Sequence, residues 1–504
     1  MSVFFRNLRG LMPAAALVLA GCAAAPEYHR PPAAVPAAYK ESPAHAIPGQ
    51  NAPGQAAAAP AAGGQDGRWQ AAAPAEHLPR GEWWRVFGDE TLDALERRAE
   101  TANQDLEAAA ARLAQARALR DGARADRYPR VDAGFGPTRQ RPSPASQGNE
   151  DDGETRTSTL WRASLDVSYE ADLFGRVAAA VQAADADLQR SAALFRSVQL
   201  ALQADVAQAY FLVRERDAER ELYAGTVALR ERTRQLVASR HAAGDIGELD
   251  LARADAELAS ARAELLGIER QRAAAEHALA VLLGLPPAEF SLPARPLGRI
   301  SVAVPAGLPS SLLERRPDIA AAERAMAAAN ARIGAARAAF FPRLDLTGAL
   351  GYESSQLGNL FEWSSRTFLL GPLVGAALSL PIFDGGRREA GVALARARYE
   401  EDVAAYRQTV LSAFREVEDQ LANLRILDGQ SRMQDRAVEA SARAAGLSQI
   451  QYREGEIGYL EVIDADRSVL VQRRASVRLD GERARSAIAL IRALGGSWEA
   501  PAAP

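Results

Sequence analysis

The 504-residue sequence is poor in the residues on which most site chemistry depends: it holds 1 Cys and 5 His. A single cysteine excludes a disulfide framework, and so few histidines leave little material for a structural zinc site or a histidine-based enzyme. His29, His45, His77, His241 and His277 form no HExxH and no triad spacing. No phosphate-binding loop is present, so the chain has no motif for drawing energy from a nucleotide. Charge of one sign is also lacking. With 60 Lys+Arg against 64 Asp+Glu, a formal charge of -4, nothing points to a nucleic-acid partner. Aromatics are scarce at 6%, although hydrophobic residues reach 48% and mean hydropathy is -0.19. The apolar content is therefore mostly Ala and Leu, the residues of long helices.

The N-terminus reads as an address. Arg6 and Arg9 precede an apolar run from Leu11 to Leu19, interrupted by Pro13 and closed by Leu19-Ala20-Gly21-Cys22. The run is shorter than the about 20 apolar residues that span a bilayer. It resembles a bacterial lipoprotein signal peptide, residues 1–21, with Cys22 as the acylated first residue of the mature chain. In that resemblance Ala23, where Asp would retain the protein, implies transfer to the outer membrane. Several acyl chains anchor more firmly than the reversible attachment given by one. Residues 22–82 follow as a tether rich in Pro, Ala, Gly and Gln, without period, expected to wrap a surface or stay mobile.

Beyond the tether the pattern is helical. Leu92, Leu95, Ala99, Leu106, Ala109 and Leu113 predict a helix from Asp89 to about Arg124, and a longer tract runs from about Val177 to Arg240. A further helix from about Leu249 to Leu283 stops at Gly284 and Pro286-Pro287, and Pro317-Asp318 marks another start. A helix of about 60 residues is roughly 90 Å long at 1.5 Å per residue, a coiled coil or rod. Its Ala-rich stripe lets neighbouring helices approach closely.

The chain repeats itself. Gly244-Asp245-Ile246-Gly247-Glu248-Leu249 recurs 211 residues later as Gly455-Glu456-Ile457-Gly458-Tyr459-Leu460, and the same offset pairs Asp255 with Asp466 and Arg262 with Arg473. Pro129-Arg130 and Asp132 match Pro342-Arg343 and Asp345 at offset 213. Each copy carries a short strand pair, a long helix, a glycine turn and a returning helix. In the first pair Trp161, Leu165, Val167 and Tyr169 alternate with Arg162, Ser164, Asp166 and Ser168, predicting one lipid face and one wet face. Four strands cannot close a barrel alone, and lipid admits only a closed sheet, so several copies would have to contribute.

These features together resemble the outer-membrane efflux protein family, in its lipoprotein branch of outer-membrane factors for resistance-nodulation-division (RND) pumps. The resemblance spans about residues 80 to 496. It rests on Trp83-Trp84 with Phe87, Asp172-Leu173-Phe174-Gly175-Arg176, Leu313-Glu314-Arg315-Arg316-Pro317-Asp318-Ile319, Phe341-Pro342 and Pro381-Ile382-Phe383-Asp384-Gly385-Gly386-Arg387, all in order. It implies an all-α chain with a membrane β-barrel part: a homotrimer whose twelve pooled strands form an outer-membrane barrel continued by a periplasmic α-helical barrel. The implied organisation is a first repeat at 83–286 with strands about 129–140 and 159–175, a linker at 287–308, a second repeat at 309–496 with strands about 343–352 and 368–383, and a tail at 497–504.

The resemblance implies glycine turns (Gly244, Gly247, Gly455, Gly458) at the periplasmic ends and a pore gate of Asp250, Tyr452, Glu461 and Asp464. Ile457 stands where the family has an arginine, and Glu90 where it often has a proline. The implied partners are a periplasmic adaptor, an inner-membrane RND transporter and outer-membrane lipid, with no nucleic acid. No cofactor is expected beyond the lipid on Cys22, and no metal site or catalytic residue. The acids Glu150-Asp151-Asp152 and Glu154 read as a solvated extracellular loop. The expected function is passive export of drugs or other small toxic compounds. A duct for protein or peptide secretion with an ABC exporter is the alternative, and a lipoprotein rod without a channel is a third reading.

Overall fold

The computed structural model describes residues 26–32, 35–36, 38–41, 81–141, 143, 157–298, 309, 312–370 and 376–496. Cys22, the signal segment, most of the tether and the acidic loop residues 150–154 lie outside the described residues. In chain order the principal elements are α1 (Glu90–Ala102), α2 (Gln104–Ala125), β1 (Arg130–Gln140), β2 (Ser158–Ala171), α3 (Arg176–Ala242), α4 (Glu248–Leu282), α5 (Pro317–Ala338), β3 (Arg343–Ser354), β4 (Arg366–Leu370), β5 (Ala376–Ser379), α6 (Arg387–Glu454) and α7 (Tyr459–Ala493). The chain divides into two compact units, one of Met1–Pro32, Arg112–Ala192 and Ala321–Arg407, the other of Ala33–Ala111, Ala193–Ala320 and Gln408–Pro504.

The single helix expected from Asp89 to Arg124 is two. Asp89 caps the first, its carboxylate accepting from Thr91 N at 3.0 Å and Leu92 N at 3.4 Å. No proline is needed to break it. Asn103 sits in extended conformation (φ -72, ψ 127), accepts from Leu106 N at 3.0 Å to cap the next helix, and donates to Leu282 O at 2.9 Å.

Both strand-to-helix junctions use one device. Asp172 accepts from Val177 N and Ala178 N at 3.1 and 2.7 Å after Gly175 at φ 77, and Asp384 accepts from Gly386 N and Arg388 N, both at 3.1 Å, with Gly385 and Gly386 at φ 65 and 87. A carboxylate on the first exposed amides of a helix satisfies donors and suits its positive end. α3 and α6 then run 67 and 68 residues without interruption.

In the unit holding most of both hairpins, Trp83, Trp84, Leu92, Val206, Tyr210, Phe211, Leu279 and Ile488 form the core. Each such side chain contributes about 1.5–3 kcal/mol when buried. Gly284 (φ 67) closes this packing, since a Cβ there would lie 2.2 Å from Ala102 O.

The sheet belongs to the other unit. Its strands are antiparallel in the order β1-β2-β3-β4, with β5 also on β3. Thus β2 ends at Ala171, short of the expected 175, and the fourth strand is two pieces on one neighbour. Residues 371–375 between them lie outside the description. Among the described residues no helix is long and apolar enough to cross a membrane.

The N-terminal tether is pinned where it is described. Arg30 places Nε and Nη2 at 3.0 and 2.9 Å from Tyr406 Oη, and Asn330 Nδ2 donates to Pro26 O at 2.9 Å. In the other unit Glu418 accepts from the backbone of Lys40 and Glu41 at 2.7 and 3.0 Å, beside the buried Tyr39. These short segments take the wrapping course of the two that composition allowed.

Candidate functional site

Two features of the fold bear on function: the faces of the sheet and the turn ends of the helical hairpins. Register settles the first. Ala133 pairs with Leu165, Val131 with Val167 and Pro137 with Trp161, while β3 sets Leu350 opposite Leu165 and Leu346 opposite Tyr169. Directly paired residues share a face. Trp161, Leu165, Val167 and Tyr169 therefore stand with Val131, Phe135, Leu344, Leu346, Leu350 and Tyr352 on one apolar surface across three strands. Phe135 and Trp161 stack at 6.0 Å.

The opposite face carries Arg130, Asp132, Arg162, Ser164, Asp166, Ser168, Glu170, Arg343, Asp345 and Glu353. Its charges are largely paired: Arg162 with Glu353 at 2.8 Å, Arg130 with Asp132 at 2.8 Å, and Arg343 with Asp345 at 2.8 Å. Arg176, at the start of α3, forks onto Glu170 with both contacts at 2.7 Å. Alternation in β3 is weaker in sequence because glycine and alanine fill several positions. One is obligatory, since a Cβ on Gly351 would lie 2.0 Å from Ala163 O. β1 and the β4/β5 side are the sheet's edges. An apolar face with open edges is unstable in lipid unless other strands close it.

The second feature is the pair of hairpins α3/α4 and α6/α7. Within the first, Asp217–Arg272 (2.6 Å), Arg220–Glu269 (3.1 Å) and Arg234–Asp255 (2.8 Å) descend in antiparallel register toward the turn. Gly244 (φ 82) and Gly455 (φ 80) take left-handed conformations that end α3 and α6. Asp245 N returns to Arg240 O at 3.0 Å, and Glu456 N to Gln451 O at 2.9 Å. Gly247 and Gly458, extended, begin the returning helices. The duplicated hexapeptide is thus the same turn made twice.

The four sequence-predicted gate residues are not one cluster. Tyr452 is buried with Val237, Ala254, Tyr459, Val462 and Ile463, its ring 5.6 Å from that of Tyr459 and 5.0 Å from the Arg240 guanidinium. Its hydroxyl has no hydrogen-bond partner among the described residues. Glu461 and Asp464 are exposed on the first turns of α7, where Asp464 lies 3.9 Å from Arg467. Asp250, partly buried, faces Arg253 of its own helix at 3.4 Å. Ile457 packs on the apolar cluster.

Sequence reading missed the ion pairs that join the hairpins. Glu257 of α4 is 2.8 Å from Arg230 of α3 and is also bonded by Arg467 of α7. Glu219 of α3 is buried and receives Arg478 at 3.0 Å, Arg474 at 3.3 Å, and Arg216. Burial raises the Glu219 pKa, but bonds from Arg478, Arg216 and Arg474 outweigh it, so the carboxyl stays below its usual range. Glu215 is held by Arg485. Spacings of seven, four and seven between Arg467, Arg474, Arg478 and Arg485 were the available signal, one arginine row on α7.

Among the described residues no group of three or more His, Cys, Asp or Glu could hold a metal ion. An amphipathic membrane sheet continuous in sequence with paired long hairpins defines the class of outer-membrane channel proteins. The profile of the outer membrane efflux protein family matches residues 95–285 and 308–496, one block for each repeat, and the chain belongs to that family. It is 35% identical over 488 residues to outer membrane protein OprJ of Pseudomonas aeruginosa, covering 96% of this chain and 95% of OprJ. Similarity to the cation efflux system protein CusC of Escherichia coli is 33% identity over 96% of this chain and 97% of CusC. Among solved structures, a membrane protein from Pseudomonas aeruginosa matches with a TM-score of 0.80 at 34% identity, covering 95% of this chain and 98% of that one. A structure of CusC matches with a TM-score of 0.77 at 30% identity, over 94% and 99%.

Proposed function

We propose that this outer-membrane efflux protein is the passive exit duct of a tripartite pump, assembled as a homotrimer and fed by an inner-membrane RND transporter through a periplasmic adaptor. The observation that carries the reading is the open-edged sheet with one apolar and one charged face. Three copies supply twelve strands, closing the sheet with Trp161, Leu165, Val167 and Tyr169 toward lipid and the Arg162–Asp166 face toward water. Cys22, acylated after removal of residues 1–21, anchors the chain in the same membrane.

The turn ends with Gly244, Gly247, Gly455 and Gly458 face the periplasm in this reading, with Asp250, Tyr452, Glu461 and Asp464 at the entrance. Acids repeated threefold around an axis favour cations and repel one another when drawn together. The cargo is small toxic compounds. Relatives named for efflux of toluene, antibiotics and cations support this over protein secretion. Transport, and no catalysis, is the assignment.

The test is affinity recovery of the assembled complex, with accumulation of dyes and metal salts measured in a deletion strain. Recovery of an RND transporter together with raised accumulation is expected. An ABC exporter, with accumulation unchanged, would overturn the assignment. Labelled palmitate should enter the wild type and not Cys22→Ser.

A further inference from the structure

The charges of the sheet are divided unevenly between its two faces. On the wet face each arginine has an acid beside it: Arg130 has Asp132, Arg162 has Glu353 and Arg343 has Asp345. Among the described strand residues the apolar face carries no acid and two arginines, Arg139 and Arg366. Pairing fixes both. Phe135, Ala163, Tyr352 and Arg366 are successive partners across β1, β2, β3 and β4, so they form one row on one face. Arg139, opposite Thr159, ends the β1 column that includes Phe135 and Pro137, about 7 Å beyond Pro137. Neither arginine has an acidic partner among the described residues. Both stand at the loop end of the sheet. β1 runs away from α2 toward Gln140, and β4 enters from the loop after Ser354, while α2, α3, α5 and α6 all join the opposite end. With the helical hairpins in the periplasm, this end faces outward from the cell. The loop before β4 presents Phe361 and Trp363, 68% and 78% exposed. The Phe361 ring meets that of Tyr352 at 5.5 Å. The Arg366 guanidinium stacks over the Trp363 ring, and its Nε donates to Trp363 O at 2.9 Å. Those two contacts orient the guanidinium plane and leave its Nη groups for another acceptor.

Exposed aromatic rings at the end of an apolar strand face collect at headgroup depth. A cation on that face, with no protein acid beside it, is matched by an anion that the membrane supplies. The outer leaflet of an outer membrane is built of phosphorylated glycolipid. Resting on the channel reading above, we propose that Arg366, held by Trp363, binds the phosphate of such a glycolipid, with Arg139 as the second cation of the site. An arginine fork fits two oxygens of one phosphate. The acyl chains then lie against Phe135, Trp161 and Tyr352, which a free anion would leave uncovered. In the closed sheet, β1 of one copy abuts the β4 edge of the next, so Arg139 and Arg366 of neighbouring copies flank one seam. A headgroup with two phosphates bridges that seam, and the lipid is a tie between copies.

The test is native mass spectrometry of the full-length lipidated protein in detergent, titrated with bis-phosphorylated lipid A, with the same lipid stripped of both phosphates, and with inorganic phosphate. Wild type is compared with Arg366→Gln, Arg366→Lys and Arg139→Gln/Arg366→Gln. Wild type should bind the phosphorylated lipid at least about tenfold more tightly than the stripped one. Arg366→Gln should lose about tenfold in affinity for it, the effect of one charged fork, and Arg366→Lys less. The double variant should no longer distinguish the two lipids. Equal binding of both lipids by the wild type, or an undiminished preference in the double variant, overturns the site. Displacement of the lipid by inorganic phosphate at similar concentration would reveal a free-anion site and overturn the lipid assignment. The same spectra count chains. Monomers that keep the preference but never form trimers count against the channel assembly and support the Arg366 site, whereas trimers without the preference count against the site alone.

Discussion

Replacing Glu96 by Gln should change how stability depends on pH. Glu96 is fully buried in α1, and both carboxylate oxygens lack a hydrogen-bond partner among the described residues. Burial first, then the nearby Glu100 and Asp93, push its pKa up to about 10. The folded protein therefore holds this proton at neutral pH, while the unfolded chain releases it near 4.5. Since the folded state binds more protons between those values, stability is full below the unfolded pKa and falls as pH rises toward the folded one. The slope is about 1.4 kcal/mol per pH unit, so from pH 5.5 to 7.5 this one group removes about 2.7 kcal/mol per chain. That difference does not depend on the upper pKa as long as it lies above the window. For a cooperative unit of about 300 residues, with an unfolding entropy near 0.6 kcal/mol per degree, it corresponds to about 4 °C. The assay is tryptophan-detected melting in detergent at several pH values, wild type beside Glu96→Gln. Every other titrating group is common to the pair, so the gap between their melting temperatures should widen by about 4 °C over the window in favour of the variant. A constant gap would show that Glu96 is ionised in the folded protein and refute the argument.

Further outcomes follow from the packing and the register. Gly481→Ala should displace Glu215 from Arg485 and lower stability by about 1–3 kcal/mol, read as a drop in melting temperature. Arg316, 8% exposed, bonds Asp318 at 3.0 and 2.6 Å, Glu416 at 2.7 Å and Ala493 O at 3.1 Å. Arg316→Ala should cost about 1–3 kcal/mol through the charged hydrogen bonds it removes, the acids Asp318 and Glu416 being partly open to water, and Glu416→Ala, removing one partner of several, less. Cysteines at positions 165 and 166 should separate in whole cells, a membrane-impermeant maleimide reacting with Asp166→Cys and sparing Leu165→Cys; the reverse would invert the sheet's faces. Leu165→Arg should destabilise the membrane part by about 2–4 kcal/mol.

Much of the fold was legible because its signals are local. The capping carboxylates Asp172 and Asp384, the left-handed Gly244 and Gly455, and the alternation from Trp161 to Tyr169 act on residues within a few positions along the chain, and the duplication shows each device twice. The Asn103 break was hidden because an asparagine in a helical pattern is decisive only when its amide has a partner, here Leu282 O, 179 residues away. The contacts near the turns were harder for the same reason: Tyr452 lies buried under Arg240 with Tyr459, and Glu257 reads as one more surface acid until Arg230 and Arg467 converge on it.

The sequence by itself determined the elements, their repeat and the two characters of the strands, since helix period, strand alternation and glycine conformation are written in neighbouring residues. Tertiary structure alone decided which charges meet. Of the many arginines and acids on these helices, only helix packing brings Arg474 and Arg478 onto Glu219 beside its neighbour Arg216 and leaves Arg467 half in water, because an ion pair's strength is set by burial and by distant partners that no local pattern encodes.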